Sequence, residues 1–126
     1  MDIRALTPTY AVSPQITPED LPMIKAAGFV TVIDNRPDGE IPPDLQTDEI
    51  RAAAEALGLA FVANPVIGGA ITDHNVTTQR EVISTSPGPV FAYCRSGTRS
   101  TTLWALSQAG EAPADEIISA AANAGY

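Results

Sequence analysis

Cysteine, histidine and basic residues are scarce in this sequence of 126 residues, and each scarcity excludes a class of protein. The only cysteine is Cys94, so no disulfide can form within the chain and a disulfide-stabilised secreted domain is excluded. The only histidine is His74, which has no second histidine with which to form a common type of metal site. We therefore expect a free thiol in a reducing compartment and no metal or organic cofactor.

Positive charge is also in short supply. Seven Lys and Arg residues stand against fifteen Asp and Glu residues, which gives a net charge of -8. Nucleic acids and anionic membranes are bound through clustered Lys and Arg, so neither is an expected partner. No apolar stretch approaches the roughly 20 residues of a membrane span, and residues 1–16 lack the pattern of a secretory signal. We expect a cytoplasmic protein.

What the sequence does contain is the pattern of one globular α/β domain spanning residues 1–126. Hydrophobic residues make up 44% of the chain and charged residues 17%, with no low-complexity run. Strands are predicted at residues 9–12, 29–34, 59–65 and 90–93, and helices at 17–27, 47–57, 76–84, 98–109 and 113–124. This alternation predicts a mostly parallel central sheet with helices on both faces and a ligand site beyond the carboxyl ends of the strands.

The segment 94–100, Cys-Arg-Ser-Gly-Thr-Arg-Ser, joins the predicted strand 90–93 to the predicted helix 98–109. A reactive cysteine needs a helix N-terminus or a nearby cation to favour its thiolate, and both are present in this segment. Successive N–H groups of residues 95–99 can curl into an anion-binding nest, and Gly97 permits the turn. We therefore predict that Cys94 is the nucleophile.

The side chains around Cys94 have candidate roles in binding an anion. Arg99 is placed to hold two oxygens of a tetrahedral anion or a persulfide substrate in bidentate fashion, and Ser100 to donate a hydrogen bond to the sulfur. Arg36, after the strand 29–34, either adds positive charge to the site or pairs with an acidic residue in its own turn. The remaining predicted substrate-binding residues are Arg95, Ser96, Gly97 and Thr98.

A general acid is required if the reaction is phosphate hydrolysis. Asp73, which lies 21 residues before Cys94 in the loop after the strand 59–65, is the candidate. The alternative interpretation places Asp73 in the N-terminal cap of the next helix. His74 is expected to be a surface or capping residue.

The segment 93–100, Tyr-Cys-Arg-Ser-Gly-Thr-Arg-Ser, together with Asn-Arg-Pro-Asp-Gly-Glu at 35–40, resembles the beta-lactamase hydrolase-like family over nearly the whole chain. The resemblance implies a fold like that of the dual-specificity and tyrosine phosphatases. Members of that family occur alone or fused in front of a metallo-beta-lactamase-like persulfide dioxygenase, which makes such a dioxygenase a candidate partner. The resemblance leaves two activities open, phosphatase and rhodanese-type sulfurtransferase.

Loop length favours the sulfurtransferase. Four residues separate Cys94 from Arg99, which is the rhodanese-like count, whereas protein tyrosine phosphatases have five and commonly carry His where Tyr93 stands. The tighter ring suits a single terminal sulfur better than three phosphoryl oxygens. The first hypothesis is therefore a cysteine-dependent sulfurtransferase that passes sulfane sulfur through a Cys94 persulfide.

Two alternatives to sulfur transfer are kept. One is a cysteine-dependent phosphatase with a phosphocysteine at Cys94 and with Asp73 as acid and then base. The other is a catalytically silent anion-binding domain that docks a dioxygenase partner. In each case the expected ligand is a small anion, namely thiosulfate, a persulfide or a phosphoryl compound.

Overall fold

A five-stranded sheet lies at the centre of the computed structural model, which describes residues 1–68 and 70–126. The strands are β1 (Arg4–Thr7), β2 (Tyr10–Ser13), β3 (Thr31–Asp34), β4 (Ala60–Ala63) and β5 (Val90–Tyr93). The helices are α1 (Leu21–Ala26), α2 (Thr47–Ala56), α3 (Asp73–Thr85), α4 (Thr98–Gln108) and α5 (Ala114–Asn123). All of the predicted strands and helices are present, and β1 is the strand that was not predicted.

The strand order is β1-β2-β5-β3-β4, and every neighbouring pair is parallel except β1 and β2. In the register of the sheet, Tyr93 lies beside Ser13 on one side and Asp34 on the other, and Asp34 lies beside Ala63. The four parallel strands therefore end level with one another. The loops that follow them meet at one edge of the sheet, as predicted for the functional site.

Helices cover both faces of the sheet because residues of the inner strands alternate in direction. Val32 and Phe91 face α1 and α2, whereas Ile33 and Ala92 face α3, α4 and α5. Burial of each large apolar side chain stabilises the fold by about 1.5–3 kcal/mol. The first core contains Ile16, Leu21, Ile24, Val32, Ile50, Ala54, Leu59, Phe91 and Tyr93. The second contains Leu6, Tyr10, Val12, Ile33, Val90, Ala92 and Trp104.

Helix α3 begins earlier than the predicted helix 76–84. Thr72 is its N-cap: the Thr72 hydroxyl oxygen accepts the N–H of Asn75 at 3.1 Å, and the Asn75 side chain accepts the N–H of Thr72 at 3.1 Å. This reciprocal cap satisfies two N–H groups of the first turn and starts the helix at Asp73. Of the helices in the described residues, none has both the length and the apolarity to cross a membrane.

Candidate active site

Cys94 directly follows β5 and is 1% exposed. Its Sγ atom accepts a hydrogen bond from the N–H of Gly97 at 3.1 Å. Gly97 has a φ of 91°, a left-handed conformation that a residue with a side chain adopts only with strain, and it is the N-cap of α4. The sulfur thus lies in a turn closed by a backbone N–H, beside the positive end of a helix.

Arg99 is held by a carboxylate that comes from a different part of the chain. Its Nη1 donates to Glu40 Oε2 at 2.8 Å and its Nη2 to Glu40 Oε1 at 2.7 Å, while Nη1 also donates to the carbonyl of Val66 at 2.9 Å. The hydrogen bond from Arg99 lowers the pKa of Glu40, with Arg36 contributing less. The same bond is the main cause of a raised pKa at Arg99, to which the nearby Cys94 sulfur adds.

The donors left over on Arg99 define where an anion can bind. A guanidinium carries five N–H donors in a fixed plane, and the contacts with Glu40 and Val66 account for both donors of Nη1 and one of Nη2. The Nε–H and the second Nη2–H remain, and they point from one edge of the plane. This edge offers two parallel donors, which is the geometry that binds two oxygens of a tetrahedral anion.

Arg36 pairs with an acidic residue in its own turn and also lines a cavity. Its Nε approaches Glu40 Oε1 at 3.3 Å and its Nη2 donates to the Glu40 carbonyl at 3.0 Å, so it pairs within its own turn. It also lines a cavity of about 550 Å³ together with Glu40, Gly68, Arg95 and Arg99. Three arginines thus line one cavity, and one of them, Arg99, interacts with the Cys94 sulfur.

Asp34, at the end of β3, fixes the backbone of Arg36. Its Oδ1 accepts the N–H of Arg36 at 2.9 Å, and its Oδ2 accepts the hydroxyl of Thr47 at 2.8 Å. Burial raises the pKa of Asp34, and these two hydrogen bonds oppose the rise. Of the paired glycines in the loop after β4, Gly68 lines the cavity, whereas Gly69 lies outside the described residues.

The hydroxyl groups of the loop point in different directions. Ser96 and Thr98 are exposed, and the Ser96 hydroxyl donates to Thr98 Oγ1 at 2.9 Å. Ser100 is fully buried, and its hydroxyl donates to Asn35 Oδ1 at 2.8 Å instead of to the sulfur as expected. A hydroxyl has one hydrogen to donate, so Ser100 ties the start of α4 to the end of β3.

Asp73 is not brought to the arginine cavity. It is the first residue of α3 and lines a separate cavity with Arg80 and Leu106, among others. The cap at Thr72 starts the helix before the loop can carry Asp73 towards Cys94, which supports the capping interpretation. The carboxylate that does reach the arginines is Glu40, which lies in the turn of Arg36.

A buried network of amide side chains lies beneath the loops at this edge of the sheet, and no motif in the sequence indicated it. Gln79 Oε1 accepts from Asn35 Nδ2 at 3.0 Å and from Asn64 Nδ2 at 2.9 Å. Gln79 Nε2 donates to Asn35 Oδ1 at 3.1 Å and to the Tyr10 hydroxyl at 3.0 Å. That hydroxyl donates in turn to the Ser100 carbonyl at 2.9 Å, so the network joins the ends of β3 and β4 to α3 and α4.

Comparison of the sequence with known families gives a match over most of the chain. Residues 2–111 match the family model described as beta-lactamase hydrolase-like protein, phosphatase-like domain. The chain belongs to this family. A curated beta-lactamase hydrolase-like protein from Agrobacterium fabrum is 38% identical over 101 residues, which are 80% of this chain and 23% of that protein. The domain spans about a quarter of the length of the curated relatives it matches.

Solved structures confirm the phosphatase-like fold of the domain. A structure from Neisseria meningitidis, described as that of a candidate phosphatase, has a TM-score of 0.86 and 39% identity and covers 100% of this chain and 90% of its own. The structure of Tk-PTP in a mutant form has a TM-score of 0.79 at 15% identity and covers 98% of this chain and 83% of its own, so it supports the fold alone. The family match and the similarity to the Neisseria meningitidis structure support an enzyme of phosphatase-like type.

Proposed function

We propose that this domain is a cysteine-dependent phosphatase in which Cys94 accepts the phosphoryl group of a small phosphate ester. The observation that carries the proposal is the meeting of Arg36, Arg95 and Arg99 in one cavity. Of these, Arg99 is close enough to the buried Cys94 sulfur for the two to interact, and that sulfur already accepts a backbone N–H. Three guanidinium groups suit a doubly charged oxyanion. The match to the phosphatase-like family model supports the same chemistry.

The reaction is a double displacement. Cys94 Sγ, as the thiolate, attacks phosphorus; the S–P bond forms, the ester P–O bond breaks, and its electron pair leaves with the alcohol oxygen. Water then attacks phosphorus, the S–P bond breaks, and inorganic phosphate and the thiolate are released. The free edge of Arg99 binds two phosphoryl oxygens in both steps, while Arg36 and Arg95 offset their charge.

The protonation state of Glu40 sets the class of ester. Its pKa is lowered by Arg99, so at neutral pH it is a carboxylate bound to arginines and has no proton to give. Asp73, the other candidate acid, lines a separate cavity. A leaving oxygen that needs no protonation is therefore favoured, as in aryl or acyl phosphates, over the oxygen of an alkyl phosphate.

Sulfur transfer is the second candidate, and the spacing of four residues between Cys94 and Arg99 favours it. In this reaction Cys94 Sγ attacks the outer sulfur of thiosulfate, a new S–S bond forms, the old one breaks, and sulfite leaves. The Cys94 persulfide then gives its outer sulfur to a thiol or cyanide. Neither step requires a general acid. A persulfide dioxygenase is a proposed partner under this candidate.

Turnover and intact mass separate the two candidates. Wild type and Cys94→Ser are incubated with 4-nitrophenyl phosphate, and in parallel with thiosulfate or glutathione persulfide. A phosphatase releases 4-nitrophenol only when Cys94 is present and gains about 80 Da when the intermediate is trapped by acid. A sulfurtransferase gains about 32 Da, and cyanide discharges this mass as thiocyanate. Sulfur loading without ester hydrolysis would overturn the phosphatase proposal. If neither reaction is observed, the proposal is also overturned, and a catalytically silent anion-binding domain is the remaining alternative.

A further inference from the structure

Tyr126 lies against the outside of the nucleophile loop, and the mechanism above gives it no task. Its hydroxyl donates to the carbonyl of Ser96 at 2.7 Å. The guanidinium of Arg4 lies over its ring, 5.2 Å from the centroid, and Arg4 Nη1 donates to the carbonyl of Ala124 at 3.1 Å. The ring is thus held by β1 on one side and by the end of α5 on the other.

The Ser96 carbonyl and the Gly97 N–H belong to the same peptide unit. In a planar trans peptide these two groups point in opposite directions. Here the carbonyl points at the Tyr126 hydroxyl, and the N–H points at Cys94 Sγ, 3.1 Å away. A rotated peptide would turn its N–H away from the sulfur and lose the bond to the phenol at the same time.

Glycine does not fix this peptide by itself. Gly97 has a φ of 91°, and glycine visits many backbone conformations that other residues avoid, so the orientation needs an outside contact. The fit with Tyr126 is close: a Cβ added at residue 97 would lie 2.1 Å from the Tyr126 hydroxyl oxygen. The phenol therefore approaches the loop through the space that the missing side chain leaves.

We propose that Tyr126 is a positioning residue that holds the Ser96–Gly97 peptide with its N–H directed at Cys94, and so favours the reactive thiolate. Burial raises the pKa of Tyr126, so the phenol keeps its hydrogen and remains a donor at neutral pH. The inference rests on the proposed function in one respect only, that Cys94 is the nucleophile. It applies equally to phosphoryl and sulfur transfer.

The test follows alkylation of Cys94 by iodoacetamide, which reacts with the thiolate and needs no substrate. The rate is measured by intact mass from about pH 5 to about pH 9 for wild type, Tyr126→Phe and Tyr126→Leu. We expect the midpoint of the pH profile to rise by about half to one pH unit in Tyr126→Phe, with a roughly three- to tenfold slower reaction at neutral pH. The midpoint in Tyr126→Leu should rise at least as far as in Tyr126→Phe.

Ser84→Ala is the matched control. Its hydroxyl also donates to a backbone carbonyl, that of Glu81 at 3.2 Å, but it lies on α3 at an exposed position. The control keeps the wild-type midpoint. Identical midpoints for wild type and both Tyr126 variants would overturn the inference.

The two proposals fail separately. A shifted midpoint in Tyr126→Phe together with no turnover of either substrate class would support the positioning role and reject the proposed function. Cys94-dependent turnover with an unshifted midpoint would support the proposed function and reject the positioning role of Tyr126. Circular dichroism of each variant shows whether the fold is retained, and Tyr126→Phe removes a single oxygen atom from the chain.

Discussion

Glu40 joins two arginines of the site that lie far apart in the sequence. It contacts Arg36 four residues along the chain and Arg99 at a separation of 59 residues. Glu40 accepts from Nη1 and Nη2 of Arg99, which leaves the edge of the guanidinium that carries Nε–H for the anion. Under the proposed function, Glu40 orients Arg99 and acts on the substrate through that guanidinium.

Replacing Glu40 with Gln tests this ion pair through its pH dependence. The pKa of Glu40 is lowered from its ordinary 4.5, so the pair stabilises the fold above that pH and the stabilisation is lost as the pH falls through the lowered value. Because both side chains are partly exposed, solvent screening limits the loss in Glu40→Gln to about 0.5–1 kcal/mol at pH 7. Urea unfolding measures it.

The control for Glu40→Gln is Glu111→Gln, an exposed position that should change the free energy of unfolding little. The difference between wild type and Glu40→Gln should disappear in strong acid, once the carboxylate is protonated. A difference that stays constant down to about pH 3 would show that charge is not its cause.

The motif residues and the distant residues of the site differ in how far the sequence could predict them. Cys94, Arg95 and Arg99 are close in sequence, so one turn brings them together and the spacing alone indicates it. Glu40 and Tyr126 reach the same place through contacts over 59 and 30 residues, which no local pattern encodes. Asp73 was predicted to lie near Cys94 because it is in the loop before the nucleophile strand. The cap at Thr72 instead makes Asp73 the first residue of α3, away from the arginine cavity.

At the scale of elements, the C-terminal ends of the helices were predicted to within about one residue, whereas α1 and α3 begin at other residues than predicted. Gly28 and Gly58 follow α1 and α2 with φ values of 102° and 81°, as expected of glycines that end helices. Strand β1 was missed because Leu6 is the one buried residue among its four, so it carries no apolar run. The buried amides were missed because Asn35 lies in a predicted loop and Asn64 in a predicted strand, and neither pattern shows the contact with α3.

Gln79→Leu tests the amide network that joins these elements. Leucine has a similar volume, but it removes the partners of Asn35, Asn64 and the Tyr10 hydroxyl, all of which are buried. Each of these groups keeps one other hydrogen bond, but one buried N–H of Asn35 and one of Asn64 lose their acceptor, which costs about 3 kcal/mol. Urea unfolding of the variant measures this loss.

The matched control is Gln108→Leu on α4. Gln108 is half-buried, and its side chain makes one long hydrogen bond of 3.5 Å, to Ser107. A change within about 0.5 kcal/mol is expected there. If Gln79→Leu were as mild as its control, the network would be filling space and would not be holding α3 and α4 to the strands.

For the whole molecule, the order of elements predicted the fold better than the function. Alternating strands and helices predict the layers, which the structure confirms. The choice of sulfur transfer rested on the length of one loop. The similarity to phosphatase-like proteins extends over most of the chain, and it supports the phosphatase alternative better.

The net charge of the molecule predicts weak binding to long polyanions. Three of the seven basic residues lie in the arginine cavity, where Glu40 binds two of them, and the molecule as a whole carries -8. A long polyanion would meet repulsion over most of the surface, whereas a small anion need only enter the cavity. We expect no retention on heparin or DNA columns at about 0.15 M salt. Retention that salt reverses would contradict this.

The single buried cysteine also determines how the protein recovers from oxidants. Peroxide would convert the Cys94 thiolate to a sulfenic acid, and with no other cysteine in the chain that acid has no internal partner for a protective disulfide. Cys94 is 1% exposed, so rescue falls to thiols small enough to enter the loop, such as glutathione. Where small thiols are depleted, oxidation proceeds to the sulfinic acid, and inactivation becomes permanent.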